Sequence, residues 1–355
     1  MSLTVLSVAY PFAPVGPDAV GGAEQIQAAL DAAVVAAGWR SIVVAQAGSQ
    51  VSGRLEPTPA VDGELTQDAR AAARRRHRET IQAVLRREPV DLIHFHGVDF
   101  AGYLPDVPGL PPMLATLHLP AAWYPQEIFR PGPERLWLNP VSRTQAETCP
   151  ASPRLLAPIP NGAPVRALQA ARHARRGFAL MLARICPEKG VHLALDAAKE
   201  AGVPLIVAGE LFAYAEHQDY FAREVAPRLD ALRRFVGPVG FARKRRLLSA
   251  ARCLLVPALA EETSSLVARE AIACGTPVIA FRRGALPETV DDGETGFIVD
   301  YVDGMAAAIG RAGLIDPERC RQAARERFSL EAMTGRYLDL YARLAGAGRI
   351  REGAA

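Results

Sequence analysis

Short apolar runs rich in β-formers recur along the chain: "LTVLSVAY", "SIVVAQ", "DLIHFH", "MLATLH" and "LWLNPVS" in the first half, then "FALMLAR", "PLIVAG", "CLLVPA", "PVIAF" and "GFIVD". Ala-rich stretches of helical character separate them. Strands that are apolar throughout, rather than alternating, belong to parallel sheets covered on both faces. The series is set out twice, and between the two sets residues 158–177, "PIPNGAPVRALQAARHARRG", lose the strand pattern to proline, glycine and basic residues. This predicts an α/β chain with two doubly wound domains: a first over 1–165, a linker over 166–177 and a second over 178–325. Residues 326–345 form a last helix, with Leu330, Met333, Tyr337, Leu340, Tyr341 and Leu344 at helical spacing behind Ser329 as a cap, and 346–355 read as a frayed tail. Two such domains facing one another hold a ligand in the cleft at the carboxyl ends of their strands.

Composition narrows the partners. Half of the 355 residues are hydrophobic, and 41 Lys+Arg against 38 Asp+Glu leave a net charge of only +3, which gives no electrostatic case for nucleic acid. The basic run "RAAARRRHRE" over 70–79 is either a solvated helix face or a contact for an anionic membrane surface or acceptor. Cys149, Cys186, Cys253, Cys274 and Cys320 are scattered, without CxxC or Cys/His spacing, as suits reduced thiols and gives no structural zinc signal. The opening "MSLTVLSVAYPF" lacks a basic n-region and a cleavage site, and no apolar run is long enough to span a bilayer. The expectation is a cytoplasmic protein, at most peripheral to the inner membrane face.

Chemistry should sit in the loops that follow strands. In "EETSSLVAREAIACGTP" a helix is predicted from near Ser265 to near Cys274, with Thr263, Ser264 and Ser265 as caps, Gly275 closing it and Pro277 barring extension. Glu270 lies in its second turn among small apolar residues, so it either faces water or is bound by something. Side chains lean toward a helix N-terminus, which aims Glu270 at the end where the N–H groups of Leu266 and Val267 are free. An anion on those N–H groups, with hydroxyls on Glu270, describes the phosphate and diol of a nucleotide, with Glu262 further along the same ligand. Two ordinary surface glutamates are the alternative. In "LARICPEKG", Arg184 and Lys189 converge near a strand end, either to hold a diphosphate or as a plain surface pair. Gly21 and Gly22 follow the first strand, permitting pyrophosphate approach or a simple turn, and the spacing is not GxGxxG. His94, His96 and His118 end strands of the first domain, as cleft residues or as core histidines. There is no DxD, HExxH, GxxxxGK[ST] or GxSxG, which argues against a metal–carboxylate site, a zincin, an NTPase and a serine hydrolase.

The stretch "ETSSLVAREAIACGTPVIAFRRGALPETVDDGETGFIVD" over 262–300, with "RICPEKG", "IPNGAP", "GGAE", "HFHG" and "FSLEAMTGRYLDLY", resembles the retaining glycosyltransferases of family four, the glycosyl transferases group 1. "DYFAREVAPRL" over 219–229 is similar to the subgroup of the avilamycin-pathway glycosyltransferase. The resemblance implies the GT-B fold, two Rossmann-like domains facing across a cleft. It implies that Glu270 holds the ribose hydroxyls and that Leu266 and Val267 hold donor phosphate, with Gly21, Gly22 and Gly209 beside the donor. Glu262 and His118 would approach the transferred sugar, Arg184 and Lys189 would neutralise the leaving diphosphate, and His94, His96 and Asn161 would line the cleft. Ala183 stands where the family has glycine, and Thr263-Ser264-Ser265 stands where it has Pro-Phe-Gly or similar, so Ser265 bears on donor identity and on activity.

The activity implied is transfer of a sugar from a nucleoside diphosphate, UDP- or GDP-linked, to an acceptor hydroxyl with retention. No metal and no cofactor is expected beyond the nucleotide sugar itself. The acceptor, a saccharide, a lipid-linked sugar or a small natural product, is left to first-domain loops such as 47–68 and 97–135. A nucleotide-sugar epimerase on the same fold and a non-catalytic nucleotide-sugar binding protein are the competing expectations.

Overall fold

The computed structural model describes residues 2–61, 65–130 and 135–352. The chain divides into two compact units, the first made of residues 1–160 and 331–355, the second of Asn161–Leu330.

Unit 1 has one parallel sheet of β1 (Thr4–Val8), β2 (Arg40–Gln46), β3 (Arg54–Thr58), β4 (Leu92–Phe95), β5 (Met113–Leu117) and β6 (Leu136–Pro140), in the order β3-β2-β1-β4-β5-β6. All five residues of β1 are buried, as both-face coverage demands. Its helices are α1 (Gly22–Ala36), α2 (Gln67–Arg87) and α3 (Arg143–Thr148). In α2 only Ala73, His77, Ile81 and Val84 are buried. Its arginines are partly used within the unit: Arg74 pairs with Asp99 at 2.8 Å, Arg78 donates to the Gly102 carbonyl and Arg87 pairs with Glu56, while Arg75 and Arg76 are exposed.

Unit 2 repeats the plan with β7 (Ala179–Leu182), β8 (Leu205–Ala208), β9 (Arg233–Phe235), β10 (Cys253–Val256), β11 (Val278–Phe281) and β12 (Gly296–Val299), in the order β12-β11-β10-β7-β8-β9. Counted within the unit this is the same arrangement as in unit 1, with the strand order reversing between β7 and β10 as it does between β1 and β4. In doubly wound sheets ligands bind outside the carboxyl ends of the strands at that reversal. The helices are α4 (Val165–Gln169), α5 (Val191–Glu200), α6 (Ala215–Tyr220), α7 (Phe241–Ala250), α8 (Leu266–Ala273), α9 (Leu286–Thr289), α10 (Val302–Arg311) and α11 (Pro317–Arg327).

The stretch expected to be a linker is part of unit 2. It forms α4, whose Val165 and Leu168 are buried in that unit's core, so the boundary falls at Asn161 rather than near Phe178. The last helix, α12 (Leu330–Glu352), runs past the expected end at residue 345, because "GRIRE" is mostly made of helix-tolerant residues; the final three lie outside the described residues. From Glu331 onward it belongs to unit 1. Among the described residues no helix is long and apolar enough to cross a membrane.

Candidate functional site

Three loops at the carboxyl ends of β7, β10 and β11 are stitched together in unit 2. The loop after β7 ends in a single 3₁₀ turn, Pro187–Lys189, stopped by Gly190 at φ +63°. A Cβ on Gly190 would stand 2.2 Å from the Pro257 carbonyl oxygen, so only glycine allows this approach. The Glu188 carbonyl then accepts from the N–H groups of Leu259 (2.8 Å) and Ala260 (3.3 Å), fixing the loop after β10 against the loop after β7. On the far side, Ala285 N–H donates to the Glu262 carbonyl at 2.6 Å, and Gly284, at φ +52°, passes so close that a Cβ would lie 2.1 Å from that oxygen. The result is an ion pair between the Lys189 ammonium and Glu262 Oε1, their side chains 27% and 12% exposed. Two residues expected at the site from different loops are thus joined directly.

Arg184 follows β7, where Gly209 at the end of β8 packs against the Ala183 carbonyl and Ile185 N–H donates to the Glu210 carbonyl at 2.9 Å. Its guanidinium is partly exposed and has no ion-pair partner among the described residues. Gly209 therefore shapes the strand-end loop that carries Arg184.

Helix α8 supplies the other half. Ser265, just before it, takes the left-handed conformation (φ +49°, ψ +75°) and makes no side-chain cap, unlike the capping role expected of it. The Ser264 and Ser265 hydroxyls are buried without a hydrogen-bond partner, and the partly exposed Leu266 and Val267 have no acceptor for their N–H groups among the described residues. Four donors thus gather at the positive end of a helix, a natural seat for an anion. One turn on, Glu270 is 3% exposed and does not face water. Its Oε1 accepts from the Lys244 ammonium of α7 at 2.6 Å, while Oε2 makes no hydrogen bond among the described residues.

Unit 1 sorts the three histidines differently. His94 is fully buried: Nδ1 bonds to the Tyr341 hydroxyl at 2.7 Å and Nε2 to Thr116 Oγ1 at 2.8 Å, so it anchors α12 and is a core residue rather than a lining one. His96 Nδ1 meets His118 Nε2 at 3.0 Å, and His96 Nε2 is buried without a partner. Burial, aided by the neighbouring imidazoles, pushes His94 and His96 well below the ordinary value, and burial alone takes His118 down to about 4. All three are neutral at physiological pH. Gly21 and Gly22 form the N-terminus of α1, which has no side-chain cap. Asn161, expected to line a cleft, is 5% exposed in unit 2, where its carbonyl accepts from the buried Arg269 guanidinium.

Lys244 was missed because it sits in "FARKRRLL", a basic run that reads as a solvated face. The usable signal was its place four residues before the buried Leu248, on the same side of α7. Arg269 was missed for a similar reason. It is 4% exposed, donates to the Ser264 carbonyl at 3.1 Å and lies 5.0 Å from the Phe328 ring centre, and burial lowers it to about 10, so it stays charged at neutral pH.

Residues 177–312 match the family described as Glycosyl transferases group 1. The D-inositol 3-phosphate glycosyltransferase of Saccharomonospora viridis is 39% identical over 120 residues, which is 32% of this chain and 28% of that protein. The chain covers less than half the length of the curated relatives it matches. Two solved structures share the fold over nearly all of the chain. AviGT4, a glycosyltransferase involved in avilamycin A biosynthesis, superposes with a TM-score of 0.71 at 24% identity, covering 97% of this chain and 98% of its own. HepE of Anabaena in complex with UDP-glucose gives a TM-score of 0.73 at 18% identity, covering 96% and 100%.

Proposed function

We propose that this chain, whose residues 177–312 belong to the glycosyl transferases group 1 and whose fold is GT-B, moves a sugar from a nucleoside diphosphate to an acceptor hydroxyl. The observation that carries this is the N-terminus of α8: two free N–H groups and two buried, unpartnered hydroxyls beside a half-satisfied Glu270. Donor phosphate takes the Leu266 and Val267 N–H groups. The ribose hydroxyls take Glu270 Oε2, whose direction is fixed by Lys244 on Oε1. Arg184 and Lys189 carry the diphosphate charge as it leaves, a preorganised electrostatic role that needs no divalent ion at the phosphates. Glu262 contacts the transferred sugar and holds Lys189 in place. Retention follows from attack on the face the diphosphate leaves, with the phosphate taking the acceptor proton, so Glu262 and Glu270 are not a glycosidase pair. UDP-glucose in the HepE complex makes a uridine nucleotide the first donor to try. Unit 1 is the acceptor-binding unit in this reading, and five free cysteines suit a reducing compartment.

Thermal-shift measurements with UDP, GDP, ADP and their sugars identify the donor, since a ligand at 100 times its Kd stabilises the fold by about 2.7 kcal/mol. Arg184→Ala and Lys189→Ala should then lower turnover of that donor by roughly 100-fold, the effect of removing one transition-state donor, with little change in melting temperature. Full turnover in both variants refutes the assignment. Donor binding with no hydrolysis or transfer across an acceptor panel replaces it with a binding protein, the outcome that the Thr263-Ser264-Ser265 loop makes worth testing.

A further inference from the structure

Beyond Gly209 and Glu210, the segment "GELFAYAEHQDY" (209–220) has no part in the donor site described above, yet it brings one side chain into a specific cluster. His217, on α6, is 9% exposed, and its Nδ1 is buried without a hydrogen-bond partner. Glu188 Oε2 is likewise buried and unpartnered, and Cys186, two residues earlier, is 1% exposed. The sulfur, a carboxylate oxygen and a ring nitrogen of these residues all lie within 4.8 Å of one another. Two orphaned polar atoms in one buried spot are costly unless something satisfies them.

We propose that Cys186, Glu188 and His217 form a site for a zinc-class divalent metal, which clamps the 211–217 segment onto the loop that carries Arg184 and Lys189. Thiolate, imidazole and carboxylate together are a zinc donor set, whereas magnesium and calcium take oxygen alone. A tetrahedral zinc with its usual bond lengths sets its ligand atoms roughly 3.3–3.8 Å apart. Closing the cluster from within 4.8 Å shortens any pair of ligand atoms by about 1.5 Å at most, within reach of side-chain rotation. Two negative ligands neutralise the ion, and water completes the fourth position. Metal entry displaces the Cys186 proton, so binding releases acid and tightens with pH. The aromatic rings of Tyr214 and Phe212 pack near the His217 ring, their centroids 5.1 and 6.4 Å from its own. A search for cysteine spacing misses it, because the third ligand comes from α6 and the first two are only two residues apart.

The site is separate from the donor chemistry, and its test does not depend on it. The full chain, stripped with chelator, is titrated with Zn²⁺ against a chromogenic zinc indicator and separately with Co²⁺. The expected result is stoichiometric binding, with a thiolate-to-cobalt charge-transfer band and the visible bands of tetrahedral cobalt. Cys186→Ser should abolish the charge-transfer band while the other four cysteines remain. His217→Gln keeps the thiol and should weaken binding by more than the ~10–100-fold that loss of an outer-shell partner costs. It carries the test if circular dichroism shows Cys186→Ser to be misfolded. Absence of binding by the wild-type chain, or a charge-transfer band that persists in folded Cys186→Ser, overturns the site; affinity unchanged in His217→Gln overturns it equally.

Discussion

Ser265 is the one non-glycine residue at positive φ among the described residues. An L-residue in that region costs about 1–2 kcal/mol relative to glycine, and here the hydroxyl recovers nothing, being buried without a partner. Ser265→Gly should therefore raise the stability of unit 2 by roughly 1 kcal/mol, read from the urea midpoint by circular dichroism; an unchanged or lowered midpoint would mean that the hydroxyl is satisfied. Glu270 and Lys244 make the opposite case, two charges 4% and 14% exposed that neutralise each other. Lys244→Met should cost about 3–5 kcal/mol because it strands a buried carboxylate, whereas Lys244→Met with Glu270→Leu should cost much less, a double-mutant cycle in urea being the measurement. Glu270 was conspicuous in sequence because a carboxylate among alanines demands a partner. The partner was hidden, since nothing in a run of four basic residues says which one turns inward.

At the level of elements, ten of the twelve strands were legible as continuous apolar runs. The two that were not, β3 and β9, each lie at one of the two edges of their sheet, where one side is unpaired and polar residues are tolerated. "RLEPT" and "RRF" accordingly show neither apolar continuity nor clean alternation. The helix α4 was obscured by the prolines and arginines around it, although Val165 and Leu168 carry its packing. The helix α12 is tied into unit 1 by a buried polar network. The Tyr337 hydroxyl donates to Asn139 Oδ1 at 2.7 Å and meets Thr116 Oγ1 at 3.1 Å, and Thr116 in turn bonds to His94, which bonds to Tyr341. Periodicity marked these tyrosines as core residues without revealing the network. Tyr337→Phe should destabilise unit 1 by about 1–3 kcal/mol, the cost of leaving buried Asn139 and Thr116 short of a partner. A loss under a few tenths of a kcal/mol in urea unfolding would show that the network is dispensable.

For the molecule as a whole, the buried imidazoles of unit 1 set an acid limit. His77 is taken from its ordinary 6.5 to about 4 by burial, partly offset by a hydrogen bond with the Ala9 backbone, and His118 to about 4, while His94 and His96 are lowered as well. The unfolded chain takes up protons near 6.5 that the folded one refuses. Stability is therefore complete above that pH and declines as the pH falls toward 4, each uncompensated imidazole contributing up to about 1.4 kcal/mol per pH unit. All three tryptophans, Trp39, Trp123 and Trp137, lie in unit 1, so their fluorescence isolates its urea midpoint. That midpoint should drop between pH 7.5 and pH 5, and a flat profile would place these rings in contact with water.

The division of the chain has a further consequence for its biosynthesis. Unit 2 is continuous from Asn161 to Leu330, whereas unit 1 needs residues from both ends of the sequence. On the ribosome the later-encoded unit is therefore complete first, contrary to the usual order from the N-terminus. Until Tyr337 and Tyr341 emerge, the nascent first unit holds His94, Thr116 and Asn139 without their native partners.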